Sequence, residues 1–173
     1  MIEEMVFNFS SLLRAYYSCR KGKRNSFYAL KFEYDYERNL HSLQNDLISK
    51  KYGIGRSVCF VISYPTLREI FAANFRDRVV HHLLISHIEK DIDKTFIDNS
   101  LACRKEKGGV LGIKRLKKYI NKVTNNKQSN AYYLKLDIQS FFYTIDKNIL
   151  YELLSEKVVR LNINQKDKDD LLW

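Results

Sequence analysis

Two stretches of this chain read as β-strand, residues 57–72 and 131–138, and their scarcity constrains the fold more than any other feature. Elsewhere apolar side chains recur three and four residues apart, the spacing of helices with one buried face. The sequence therefore predicts an α+β protein. A helical N-terminal region comes first, then a small β-hairpin with helices, then one further strand. The hairpin is expected from Val58, Phe60, Val61 and Ile62, a turn at Pro65-Thr66, and a second strand over residues 67–72. The other strand, 131–138, alternates: Leu134, Leu136 and Ile138 share one face, and Tyr133, Lys135 and Asp137 the other.

Helices are expected over residues 2–20, 27–49, 75–94, 110–124 and 147–158, with a last one beginning near Asn164. Asn25-Ser26 and Asp146 are placed to cap the second and fifth of these. The stripe assigned to the second is Leu30, Tyr34, Leu40, Leu43 and Leu47, and that of the third is Val80, Leu83, Leu84, Ile88 and Ile92. The fourth is amphipathic, with Ile113, Leu116, Ile120 and Val123 opposite Lys114, Lys117, Lys118 and Lys122. Three segments follow: a helical region 1–55, a hairpin region with a basic helix 56–130, and a strand-led region 131–173. The last ends on an apolar helical segment, from which further protein is expected to follow.

Composition narrows the class of partner. The 173 residues carry 30 Lys plus Arg against 20 Asp plus Glu, a net charge of +10. Such an excess points to a polyanion, nucleic acid before membrane. Within residues 101–127, Arg104, Lys105, Lys107, Lys114, Arg115, Lys117, Lys118, Lys122 and Lys127 face only Glu106, a local net of +8. One-signed charge on one helix face repels itself, so a phosphate-tracking surface explains it better than solvation alone. Arg20, Lys21, Lys23 and Arg24 extend the track. No apolar run approaches the roughly 18 residues of a membrane span, and the N-terminus lacks a signal-peptide pattern. Cys19, Cys59 and Cys103 form no metal-ligand spacing and read as structural or buried thiols of a reducing cytoplasm. His81 and His82, adjacent on a helix, point about 100° apart and cannot share a metal.

The chemistry concentrates in Tyr132-Tyr-Leu-Lys-Leu-Asp-Ile-Gln-Ser-Phe-Phe-Tyr-Thr-Ile-Asp146. An apolar strand ends in an acid, and Phe141-Phe142 follow at once. Hard Mg²⁺ takes carboxylate oxygens on a rigid element, with room for substrate phosphates. An Asp that opens a turn after a strand has the same local sequence. This segment resembles the first catalytic motif of reverse transcriptases. Upstream, Arg68-Glu-Ile-Phe-Ala-Ala-Asn-Phe-Arg-Asp-Arg-Val-Val-His-His-Leu-Leu84 resembles the fingers stretch that leads into a long helix. Phe96-Ile-Asp-Asn-Ser-Leu-Ala-Cys-Arg-Lys-Glu-Lys-Gly-Gly109 resembles the loop that comes after it. The group most similar is the reverse transcriptases of bacterial diversity-generating retroelements, related to group II intron and retron enzymes. The match runs from about residue 56 to the end of the sequence.

The resemblance implies an N-terminal fragment of an RNA-directed DNA polymerase: fingers hairpin, helices and an incomplete palm sheet. It makes Asp137 the first metal-binding and catalytic aspartate, with the Ile138 carbonyl completing its ligand set. Phe142 packs under the sugar of the incoming nucleotide. Arg68 grips its triphosphate, a task suited to a planar fork of donors, and Arg104 lines the template or nucleotide site. Arg76-Asp77-Arg78 matches the family's helix start, but capping and pairing explain it better. The implied cofactor is Mg²⁺, acting as a pair of ions on a primer hydroxyl and a leaving pyrophosphate. The implied partners are an RNA template, a DNA primer, a dNTP and an accessory retroelement protein. The sequence departs from the pattern in two respects. No lysine shortly precedes Arg68, and no Tyr-x-Asp-Asp pair follows, so the 173 residues by themselves are expected not to polymerise. An open palm edge at 131–138 would invite self-association. The competing reading is a non-catalytic module that binds RNA or a retroelement partner.

Overall fold

The computed structural model describes residues 6–22 and 26–173. Asn25, Lys23, Arg24 and the first five residues lie outside that set, so the Asn25 cap and half of the first basic cluster do too. The order is α1 (Phe9–Arg20), α2 (Phe27–Glu33), α3 (Tyr36–Ile48), β1 (Val58–Ile62), β2 (Arg68–Ala72), α4 (Phe75–Thr95), α5 (Gly109–Val123), α6 (Phe141–Thr144), α7 (Lys147–Val159) and α8 (Gln165–Leu172). Helix and a small antiparallel sheet occur together, as the α+β reading expects. Among the described residues no helix is long and apolar enough to cross a membrane.

The chain divides into two compact units, residues 1–90 with 158–173, and residues 91–157. This partition differs from the segments drawn on the sequence, which ended in one region 131–173. Polar contacts explain the difference. The buried Asp167 accepts the amide of Val6 at 3.0 Å and Asp170 accepts Lys50 Nζ at 2.5 Å. These bonds seat α8 on the N-terminal helices, and Leu171 packs against their core. Asp167 and Asn164 also cap α8 reciprocally, Asp167 N to Asn164 Oδ1 at 2.8 Å and Asn164 Nδ2 to Asp167 Oδ2 at 2.9 Å.

In the first unit, Asn8 opens α1 by accepting the Ser11 amide at 2.7 Å. Leu12, Ala15, Tyr16 and Cys19 then repeat at helical spacing and are buried. Gly22, at φ +75°, turns the chain after α1 in a conformation that glycine adopts without strain. The expected helix 27–49 is two helices. Asp35 leaves the helical region at φ −137°, ψ 54°, and Asn39 Nδ2 bridges the break to the Phe32 carbonyl at 2.9 Å. The break changes which face is covered. Ala29 and Phe32 are buried in α2, whereas Leu30 and Tyr34, assigned to the stripe from sequence, are exposed. Leu40, Leu43 and Leu47 of α3 are buried as expected. Tyr16 ties four helices together: its ring stacks on Tyr36 at 5.2 Å and meets Phe32 at 5.8 Å and Phe75 of α4 edge-on at 6.2 Å.

The hairpin forms where expected, with Val58 opposite Ala72, Phe60 opposite Ile70 and Ile62 opposite Arg68. Most of its side chains are exposed, and an isolated two-stranded ribbon is marginal in water. Asp77 anchors it. This carboxylate, 1% exposed, accepts the Tyr52 hydroxyl at 2.6 Å and the Gly55 amide at 2.9 Å. A Cβ on Gly55 would stand 3.1 Å from Asp77 Oδ2, so the close approach favours glycine there. Arg76 beside it pairs with Asp46 Oδ2 at 2.5 Å and lies over the Tyr52 ring at 4.9 Å.

The second unit contradicts one expectation. Residues 131–138 form no strand and pair with no other segment among the described residues. A strand exists by its ladder, and none of the described residues lies alongside as a second strand to supply one. No residue of 91–157 is buried, and α5 keeps Ile113, Leu116, Ile120 and Val123 exposed. Asp146 caps α7 as expected, through the amides of Asn148 at 2.8 Å and Ile149 at 3.3 Å. Of the three cysteines only Cys19 is buried; Cys59 and Cys103 are exposed, which corrects the buried reading for those two.

Asp77→Ala is expected to lower the unfolding free energy in urea by about 3 kcal/mol, since two donors lose their shared acceptor. Burial, then the bond to Asp77, raises the Tyr52 pKa. The folded state thus holds this proton more tightly than the unfolded chain. The resulting stability is complete below about pH 10 and is lost as pH rises toward the folded value. Tyr52→Phe is expected to flatten part of that alkaline decline in urea titrations.

Candidate nucleic-acid interface and carboxylate site

The basic segment begins in the loop between α4 and α5. Arg104 closes this loop. Its Nε lies 2.5 Å from Asp93 Oδ1 and its Nη2 3.0 Å from Oδ2, a paired fork. Nη1 donates to the carbonyls of Ile97 and Ser100, both at 3.0 Å, and the Phe96 ring lies 5.6 Å from the guanidinium carbon. The side chain is 9% exposed. The nucleotide-site assignment for Arg104 therefore meets a guanidinium whose three nitrogens are all engaged, by Asp93 at the end of α4 and by the loop carbonyls.

Asp98 is the second organiser. It accepts Lys107 Nζ at 2.8 Å and Arg115 Nη1 at 2.6 Å. Arg115 also donates to the Asp98 carbonyl at 2.8 Å and to Asn99 Oδ1 at 2.9 Å, and Tyr119 meets Asn99 within 3.1 Å. These bonds hold the loop to α5. Gly108, at φ +118°, precedes α5 in a backbone state that a side chain would strain. The role of Asp98 was legible only as a polar turn, Asp98-Asn99, between apolar residues and a basic run.

The predicted basic residues thus separate into two groups. Arg104, Lys107 and Arg115 neutralise Asp93 and Asp98. Lys114, Lys117, Lys118 and Lys122 are exposed and form no ion pair among the described residues. Lys105 is exposed in the loop and is engaged in an interaction of its own. The unpaired lysines lie on one side of α5 at i, i+3, i+4 and i+8, a band about two turns long. Phosphates spaced along a strand meet such a band without any base being read.

Asp137 and Ile138 stand at the end of the extended segment, both exposed. Ser140, at φ 53°, turns the chain into α6. Phe142 is 85% exposed and meets Phe141 edge-on at 5.3 Å. The Asp137 carboxylate has no hydrogen-bond or ion-pair partner among the described residues. Mg²⁺ is commonly held by one or two carboxylates plus substrate phosphate and water. One unengaged carboxylate fits part of such a set. Among the described residues, no cluster of three His, Cys, Asp or Glu side chains suited to a metal forms here or elsewhere.

Arg68 belongs to the first unit, at the start of β2 opposite Ile62. Its side chain is exposed and unpaired among the described residues. No protein-family model matches the chain, and no curated protein matches it.

Hydrogen bonds from Arg104 lower the pKa of Asp93, and those from Lys107 and then Arg115 lower that of Asp98. The stabilisation is present above the ordinary carboxylate value, about 4, and is lost as pH falls through the folded values. Amide exchange at Ser100 and Lys107, whose N–H groups bond within this loop, should accelerate below pH 4 relative to intrinsic rates. Arg104→Ala is expected to produce the same acceleration at neutral pH.

Proposed function

We propose that the chain is the fingers and first palm portion of a reverse transcriptase, an RNA-directed DNA polymerase of the type found in bacterial diversity-generating retroelements. The observation that carries this reading is an unengaged Asp137 at the end of an apolar, unpaired stretch, followed within five residues by the exposed Phe142. Apolar side chains left open on α5 and on 131–138 suit faces that a larger palm sheet would cover. The hairpin carrying Arg68, leading into a 21-residue helix, suits the fingers role.

In this reading RNA template and DNA primer lie along the lysine band of α5. In the first unit Arg68 takes a triphosphate; in the second, Phe142 packs beneath a nucleotide sugar, and Asp137 with the Ile138 carbonyl would hold Mg²⁺. The metal supplies activation of the primer hydroxyl and charge neutralisation on the departing pyrophosphate. Arg104 acts here by shaping the loop ahead of α5. The extended segment also presents backbone donors and acceptors to a second copy, so self-association at high concentration belongs to the proposal; a monodisperse monomer in light scattering would remove that part.

A second reading, a binding module for RNA or a retroelement partner, draws on the same unpaired lysines and needs no carboxylate. Reading the DNA downstream of the Trp173 codon separates the two. An in-frame Tyr-x-Asp-Asp is expected, and in the protein so extended Asp137→Asn should abolish Mg²⁺-dependent dNTP incorporation on an RNA template. An immediate stop codon would overturn the polymerase reading. Primer extension by the 173-residue chain itself is expected to be undetectable. Both readings predict salt-dependent binding: replacing Lys114, Lys117, Lys118 and Lys122 by Gln should reduce the slope of log K against log salt by about 3.

A further inference from the structure

We propose that the N-terminal unit carries a second nucleic-acid contact, a pocket between α2, α3 and the start of α4 that takes one nucleotide of a single strand. It rests on the nucleic-acid reading above and adds a site that neither the lysine band nor Asp137 requires. The cavity measures about 290 Å³ and is lined by Tyr28, Lys31, Asn39, Ser42, Asn74 and Arg76, over the buried ring of Phe32. That is near the lower end of small-ligand sites.

The lining is polar and cationic. The Lys31 ammonium, the Ser42 hydroxyl and the Asn74 Nδ2 have no hydrogen-bond partner among the described residues. Arg76 gives one amino group to Asp46, which leaves its other donors for a ligand. Asn39 spends its Nδ2 on the Phe32 carbonyl and keeps Oδ1 as an acceptor. Asn74 spends Oδ1 on the Arg76 amide and keeps its Nδ2 donors. An amide acceptor and an amide donor suit the hydrogen-bonding edge of a base, and two cations suit its phosphate.

The Tyr28 ring in the lining selects the ligand class. It is half-exposed, and the neighbouring Phe27, outside the lining, is 71% exposed and meets it edge-on at 5.5 Å. Exposed rings beside cations are the platform on which unpaired bases stack. A free inorganic anion would leave this ring unused. A duplex keeps its bases stacked inside and could not place one here.

The test is photocrosslinking of a single-stranded RNA oligonucleotide containing 4-thiouridine, with affinities from fluorescence anisotropy. Crosslinks are expected on residues 27–31. Tyr28→Ala should weaken binding about tenfold, the size of one lost base stack, and Lys31→Glu should weaken it further than Lys31→Gln. Both positions are exposed, and circular dichroism checks that the variants stay folded. Crosslinks confined to α5, with Tyr28→Ala binding unchanged, would overturn this pocket and leave the proposed function standing. No binding of the RNA by the unaltered chain would overturn both.

Discussion

A single buried carboxylate sets the geometry of the hairpin. Asp77 reaches back across the whole β1–β2 ribbon to the Tyr52 hydroxyl and the Gly55 amide. The two ends of the hairpin, the approach at residue 55 and the exit into α4, are thereby tied to one point. Two five-residue strands with exposed faces have little apolar burial of their own. What they have is a fixed base. Arg68, exposed on β2, therefore projects from a ribbon whose root is tied down, which suits the triphosphate contact proposed for it.

The two units rest on different physics. The first has a continuous core in which Tyr16, Leu40, Leu43, Leu47, Val79 and Leu83 are almost wholly removed from water. The second has no buried residue. Its order comes from helix capping by Asp146 and from the ion pairs and carbonyl contacts of Asp93, Asp98, Arg104 and Arg115. Exposed ion pairs contribute little individually, so such a unit depends on networks and on whatever covers its apolar faces. The same lack of cover leaves the α5 lysines and the Asp137 carboxylate open to ligands.

The sequence was most legible where local signals act alone. The hairpin's place in the chain, the span of α4, the Asp146 cap, the start of the last helix near Asn164 and the buried Leu40, Leu43 and Leu47 all follow from spacing and capping residues. It was least legible where the outcome depends on a distant partner. Residues 131–138 alternate as a strand should, yet a strand needs a neighbour, and among the described residues they have none. The break at Asp35 carries no glycine or proline to announce it; the packing of Phe32 against Tyr16 and Phe75 favours it over the continuous stripe through Leu30 and Tyr34. Among the site residues, sequence could not distinguish Arg104 from Arg68, since both are arginines beside apolar residues. The fold differentiates them, enclosing one among acceptors and leaving the other in solvent.

The placement of Trp173 has a spectroscopic consequence. It is the only tryptophan in the chain, and its ring sits 4.6 Å from the Lys50 ammonium, which in turn is bonded to Asp170. Its emission is therefore a built-in signal of whether α8 is seated on the N-terminal helices. Residues 91–157 contain no such fluorophore, only tyrosines. An unfolding curve followed by tryptophan light reports on the cored unit, and residues 91–157 are followed instead by tyrosine emission or circular dichroism.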